Sequence, residues 1–151
     1  MNGLNDMTDK IKIARDKFES GYNCAQSVFF ACLDDNQISR DTALKIATGF
    51  GAGYGRMQEV CGAVSGAIMA LGLKYGRDEN ADNEITSEMY QKTQDFIKSF
   101  EKIHGSIICR ELLNGCDLRT EEGKNEFREK RLLQNTCIKC VETAVKILSE
   151  I

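Results

Sequence analysis

The chain has no proline, no tryptophan and a single histidine among 151 residues. Without proline, no position is obliged to break or kink a helix. With one imidazole, mixed cysteine–histidine zinc sites have little to draw on. Positive charge is not in excess either: 20 Lys and Arg face 23 Asp and Glu, for a formal net charge of -3. The charges are mixed along the chain, with no basic stripe and no basic patch interleaved with aromatics, so nucleic acid is not an expected partner. The longest apolar run, residues 60–73, is too short and too rich in glycine and serine to span a bilayer. A basic n-region and an apolar h-region are missing from the N-terminus, so no signal peptide is expected, and the reading is a soluble cytoplasmic protein. No segment alternates like a strand, and there is no internal repeat or low-complexity linker.

What remains is helical periodicity over the length of one domain. Thr8 reads as the cap of a first helix, with residues 1–7 a loose tail; Ile11, Ala14 and Phe18 share one face, and Gly21 follows its end. Asn23-Cys24-Ala25-Gln26 is a capping box, an Asn answered by a Gln three residues on. Ser39 starts a third helix, stopped by the glycines between 49 and 55. A helix carrying Gly62 and Gly66 runs to about Tyr75, before Gly76. Asp82 or Asn83 caps the longest helix, which His104-Gly105 closes, with His104 complementing the dipole. Ser106 caps a short helix to Leu113, Thr120 opens a charged one to about Leu133, and Asn135 or Thr136 caps the last. The expected fold class is all-α, a single bundle-like domain of about seven to eight helices.

The centre of the pattern is residues 49–73: alternating glycines, then Cys61, then an apolar helix of small residues. Gly62 and Gly66 lie one turn apart and give that helix a flat face. Another helix can approach it closely, within the chain or in a homodimer. The glycines match neither GxGxxG nor GxxxxGK[ST], so no nucleotide is expected.

Seven cysteines are many for a chain of this kind. The odd count and the expected reducing compartment argue against a disulfide framework and for metal, cluster or redox chemistry. Cys24, Cys61, Cys109 and Cys137 each fall at a predicted helix start. Free N–H groups and the dipole favour thiolate there, so lowered pKa values are expected. Arg56 is placed to stabilise such a thiolate and Glu59 to move a proton, unless the two form a solvated pair. Cys32 reads as a small core residue in mid-helix without charged neighbours. Cys116, in a loop, is open to either reading. Cys137-Ile138-Lys139-Cys140 is a CxxC at a helix start, a redox or metal half-site without a second CxxC. Val141 stands where c-type haem attachment needs His, so no haem is expected. Position alone singles out these cysteines without bringing them together.

The motifs in order resemble a known family. They are Asn23-Cys24-Ala25-Gln26-Ser27-Val28, then Gly49-Phe50-Gly51 through Gly55-Arg56-Met57, then Cys61-Gly62-Ala63-Val64-Ser65-Gly66-Ala67, then Cys109-Arg110-Glu111-Leu112-Leu113, then Cys137. The family is the one named for its C_GCAxxG_C_C pattern. The chain departs from the literal name in having Cys61 before Gly62. The resemblance implies a small redox-active bacterial or archaeal protein whose four characteristic cysteines are Cys24, Cys61, Cys109 and Cys137. It also implies kinship with a module of split-Soret cytochromes, which is associated with an iron–sulfur centre. The leading expectation is that the four cysteines converge on one site that holds an iron–sulfur cluster, with [2Fe–2S] favoured. The alternatives are a thiol–disulfide oxidoreductase that cycles two of the four, or Cys137 with Cys140 as its resolving cysteine, and a structural or zinc-binding helical module. The sequence does not specify the redox partner.

Overall fold

The computed structural model describes residues 3–34 and 37–151. It is all-α: α1 (Gly3–Glu19), α2 (Cys24–Ala31), α3 (Arg40–Ala47), α4 (Gly51–Tyr54), α5 (Gly62–Tyr75), α6 (Glu84–His104), α7 (Cys109–Leu112), α8 (Glu121–Glu129) and α9 (Ile138–Ser149). Among the described residues there is no strand, only an isolated antiparallel bridge between Val60 and Ile108. α4 stands apart from the right-handed helices because its inner residues, Ala52 and Gly53, have φ of 52° and 67°.

α2 lies at the centre, packed on α1, α3, α5 and α9, while α5 also meets α6 and α9. Few polar atoms in α2 oppose this: Ala25, Ser27, Val28, Phe29 and Ala31 are all buried, and Ser27 returns its hydroxyl proton to the Asn23 carbonyl at 2.7 Å. The α2–α5 approach depends on glycine. A Cβ on Gly66 would lie 2.5 Å from the Ala25 carbonyl oxygen, and one on Gly62 would collide with the Cys24 sulfur. The flat face is therefore used inside the chain, which takes it out of consideration as a homodimer contact. Phe96 and Phe100 of α6 are fully buried and seal the far side. Burying each contributes about 1.5–3 kcal/mol relative to exposure.

The capping signals at α2, α3 and α8 act as expected. Asn23 and Gln26 form the reciprocal box, and Ser39 and Thr120 accept from the backbone of Thr42 and Gly123. Other ends differ from expectation. α7 begins at Cys109, after an N-cap Ile108 with no side-chain cap from Ser106, and α8 ends at Glu129 rather than near Leu133. α1 begins at Gly3, so Thr8 lies within it and residues 3–7 are helical; Met1 and Asn2 lie outside the described residues. Lys10 steadies that first turn by pairing with both Asp6 and Asp34 at 3.4 Å. α9 has no side-chain cap from Asn135 or Thr136. A π-helical turn, Leu133–Cys137, runs straight into it, so the Ile138 N–H bonds the Leu133 carbonyl. His104 lies in the last turn of α6 as expected; its ring also packs on Phe100 at 4.6 Å and Nε2 meets the Thr143 hydroxyl at 2.9 Å, while Gly105, at φ 84°, ends the helix.

Candidate functional site

The alternating glycines build a turn of inverted hand. Ala52, Gly53, Tyr54, Gly55 and Arg56 follow one another at φ between 52° and 70°, and Gln58 adds a further left-handed residue at 58°. Each non-glycine held so costs about 1–2 kcal/mol. The turn is closed by its own amides: Gln58 N–H donates to Ala52 O at 3.0 Å and Glu59 N–H to Gly53 O at 3.1 Å. No room is left for a side chain at Gly53, where a Cβ would strike the Gln58 and Glu59 backbone. The inversion aims the Ala52 N–H at the Cys24 sulfur, which also receives the Ala25 N–H from the first turn of α2. Meanwhile the capping box ties α2 to the end of α3, with Asn23 Nδ2 donating to Thr48 O at 2.8 Å and Gln26 Nε2 to Leu44 O at 3.0 Å.

Beyond the turn, the chain pairs with the segment before α7. Cys61 N–H donates to Ile107 O at 2.7 Å, Cys109 N–H to Glu59 O at 2.7 Å and Arg110 N–H to Gln58 O at 3.1 Å. Cys61 and Cys109 are thereby carried on adjacent segments. Gln58 fastens the pairing from inside: 3% exposed, it donates to Cys116 O at 2.6 Å and accepts from Leu118 N–H at 2.8 Å. Nothing in the sequence marks Gln58; its role appears only when the two loops meet.

Between these segments lies a cavity of about 600 Å³. Cys24, Cys61, Cys109, Cys137 and Cys140 all line it. The Cys61 thiol hydrogen-bonds the Cys140 sulfur, and the Ala63 and Val64 amides of the first turn of α5 also point at Cys61. Every charged residue in the lining is a cation, namely Arg56, Lys124 and Arg128. Lys124 and Arg128, with Phe127, form one face of α8, a stripe at i, i+3 and i+4 that the charged helix concealed in sequence. Glu59 is absent from the lining and pairs instead with Arg110. It is the solvated partner of a different arginine and is not poised to move a proton in the cavity.

The other two cysteines have separate surroundings. Cys116 is buried and donates its S–H to the Gly123 carbonyl at 3.1 Å. Cys32 follows the end of α2 in the core, and Lys10, Asp34 and Asp6 lie near enough to act on it, contrary to the reading of a site without charged neighbours.

Helix starts do not lower the thiol pKa values here. Burial pushes Cys24 up to about 11, with the neighbouring Cys61 adding to the rise, and the amides on its sulfur only partly offset this. Cys109 is pushed up to about 12 by burial, then by Cys61 and Cys24. Cys61 rises through its hydrogen bond with Cys140 and then through burial. Cys137 rises through burial and through the other cavity thiols. In addition, the π turn before α9 occupies the amides that would have met Cys137 at a free helix start. Desolvation and like neighbours outweigh the dipole, so the thiols are neutral at pH 7.

A positive centre in the cavity would reverse this balance, since a coordinated thiol gives up its proton outright. Among the described residues, no three His, Cys, Asp or Glu side chains are grouped to hold one metal ion. Thiols are the donor type that polynuclear iron–sulfur centres use.

Fold and cavity together define a small helical protein built round clustered thiols. The chain belongs to the family described as "Putative redox-active protein (C_GCAxxG_C_C)", which matches residues 22–151. An "Uncharacterized protein" of Archaeoglobus fulgidus is 29% identical over 132 residues, covering 83% of this chain and 81% of that protein. No solved structure matches significantly.

Proposed function

We propose that this redox-family protein carries electrons on an iron–sulfur cluster, [2Fe–2S] in preference, held by Cys24, Cys61, Cys109 and Cys137. What supports the reading is that all four, from four separate segments, line one cavity. Such a cluster supplies one-electron chemistry when bound, and four thiolates suit it. The chain's own groups fit the negative charge this donor set would bring. Amides of Ala52 and Ala25 face Cys24, and those of Ala63 and Val64 face Cys61. Hydrogen bonds of this kind to ligand sulfur shift a cluster's potential upward. Arg56, Lys124 and Arg128 supply the countercharge at the cavity wall.

The test is anaerobic purification, with iron, acid-labile sulfide and zinc measured on one sample beside its visible spectrum. Stoichiometric iron and sulfide are expected, and each single Cys→Ser variant at 24, 61, 109 and 137 should lose them. Unchanged iron and sulfide in all four variants would sink the assignment. A colourless protein with two thiols that cycle reversibly would instead support the oxidoreductase, and stoichiometric zinc without iron the structural module.

A further inference from the structure

We infer that Cys61 and Cys140 form a dithiol that small carboxylate-bearing disulfides oxidise, and that their disulfide takes Cys61 out of the four-cysteine site. The second half rests on the cluster reading; the first stands without it. Cys140 is outside the four characteristic cysteines, and the sequence couples it to Cys137 through the CxxC spacing. The fold also brings it to Cys61. Cys61 sits at the start of α5, Cys140 in the first turn of α9, and the two helices pack on each other. Their thiols share a hydrogen bond, both residues are buried at 7% and 2% exposure, and both line the cavity. Two thiols that face one cavity and interact there can approach to form a bond of about 2.05 Å.

The chemistry is thiol–disulfide exchange. The Cys61 sulfur, faced by the Ala63 and Val64 amides, attacks one sulfur of the incoming disulfide as it loses its proton. The incoming S–S bond breaks, and its departing half leaves as a thiolate that takes up a proton. Cys140 then loses its proton and attacks the Cys61 sulfur of the mixed disulfide, expelling the second half as a thiol. The protein loses two electrons and two protons; one small disulfide becomes two small thiols.

The walls define which disulfides enter. Arg56, Lys124 and Arg128 are the charged lining, with no carboxylate among them, although the chain as a whole is acidic. Lys124 is also held by Glu121 at 3.2 Å, but Arg56 and Arg128 are exposed and have no carboxylate partner among the described ion pairs. Such a field draws anionic reagents and repels cationic ones, with rate effects of about 10-fold or more.

The experiment treats reduced, metal-free full-length protein with oxidised glutathione, and in parallel with cystamine, a cationic disulfide. The products are mapped by peptide mass spectrometry. Expected are a Cys61–Cys140 linkage, formed about 10-fold faster with oxidised glutathione, and loss of that preference in R56E/R128E. Linkage of Cys61 to any cysteine other than Cys140, or no intramolecular disulfide at all, overturns the pairing. Equal rates with the two reagents overturn the proposed substrate class. Anaerobic reconstitution with iron and sulfide is then compared for the reduced, oxidised and re-reduced protein. Uptake that fails only in the oxidised form supports the gating, and equal uptake in all three overturns it. If no form takes up iron while Cys61–Cys140 still forms, the cluster reading fails and the dithiol stands. C140S and C140A should both block the linkage yet keep iron uptake in the reduced state. Because wild-type mapping decides the pairing, misfolding of either variant leaves that decision intact.

Discussion

At the residue scale, the site depends on a side chain with no chemistry of its own. Gln58 is a buried amide bonded to the backbone on both sides of a loop, at Cys116 O and Leu118 N–H. Truncation would leave two buried backbone groups unpaired, at about 1–3 kcal/mol for each. Gln58→Ala should therefore lower the urea midpoint, and it should speed alkylation of Cys109, whose segment the amide secures. An unchanged midpoint and unchanged Cys109 labelling would show that the clamp is dispensable. Residue-level reading of the sequence found the caps at Asn23, Ser39 and Thr120, whose signals are local, and missed at Thr8 and at Asn135 or Thr136, where the chain is already helical. It could not find Gln58, whose partners lie 58 and 60 residues away. It also misjudged thiol acidity, because dipole strength is legible from a helix start and desolvation is not.

At the scale of elements, the handed turn is the strained part. Ala52 has φ 52°, and its carbonyl and amide both have work in the turn and at Cys24. Ala52→Gly keeps both and removes the Cβ penalty of about 1 kcal/mol, partly offset by the greater freedom of glycine in the unfolded chain. The variant is expected to be as stable as the parent or slightly more so by thermal melting. A loss of more than about 2 kcal/mol would mean that the methyl group packs and the turn is not under strain. The alternation of glycines marked a special backbone here but not its hand, since glycine permits either sign of φ. Similarly, the CxxC spacing named Cys137 and Cys140 as neighbours along one helix. Both line the cavity, and Cys140 also interacts with Cys61 of the segment that opens α5.

For the whole molecule, thiols whose folded pKa values are raised by burial make folding depend on pH at the alkaline end. Their folded pKa values lie above the ordinary 9.0, at about 11 for Cys24 and about 12 for Cys32 and Cys109. Between those limits the unfolded chain binds fewer protons than the folded one, so stability falls as pH rises. It is complete below pH 9.0 and is lost progressively as pH climbs through about 11 and 12. Denaturation of the metal-free protein followed from pH 7 to 11 should show a plateau and then a decline. A flat profile to pH 11 would contradict the buried-thiol picture. The all-α class was legible from missing proline and unbroken periodicity, because both act over whole segments. The cavity was not, because it is assembled by contacts between segments whose order in space no local pattern encodes. Among the described residues, no helix is long and apolar enough to cross a membrane.

The turn at residues 52–56 has one more implication. It is a fragment of a mirror-image helix set among ordinary ones, and stereochemistry alone makes it uncomfortable. A D-amino acid at 52, 54 or 56 would rest there at ease. Alternating achiral glycines with L-residues is the nearest that a homochiral ribosomal alphabet comes to writing such a segment, and the rhythm of Gly53 and Gly55 is the trace of that compromise.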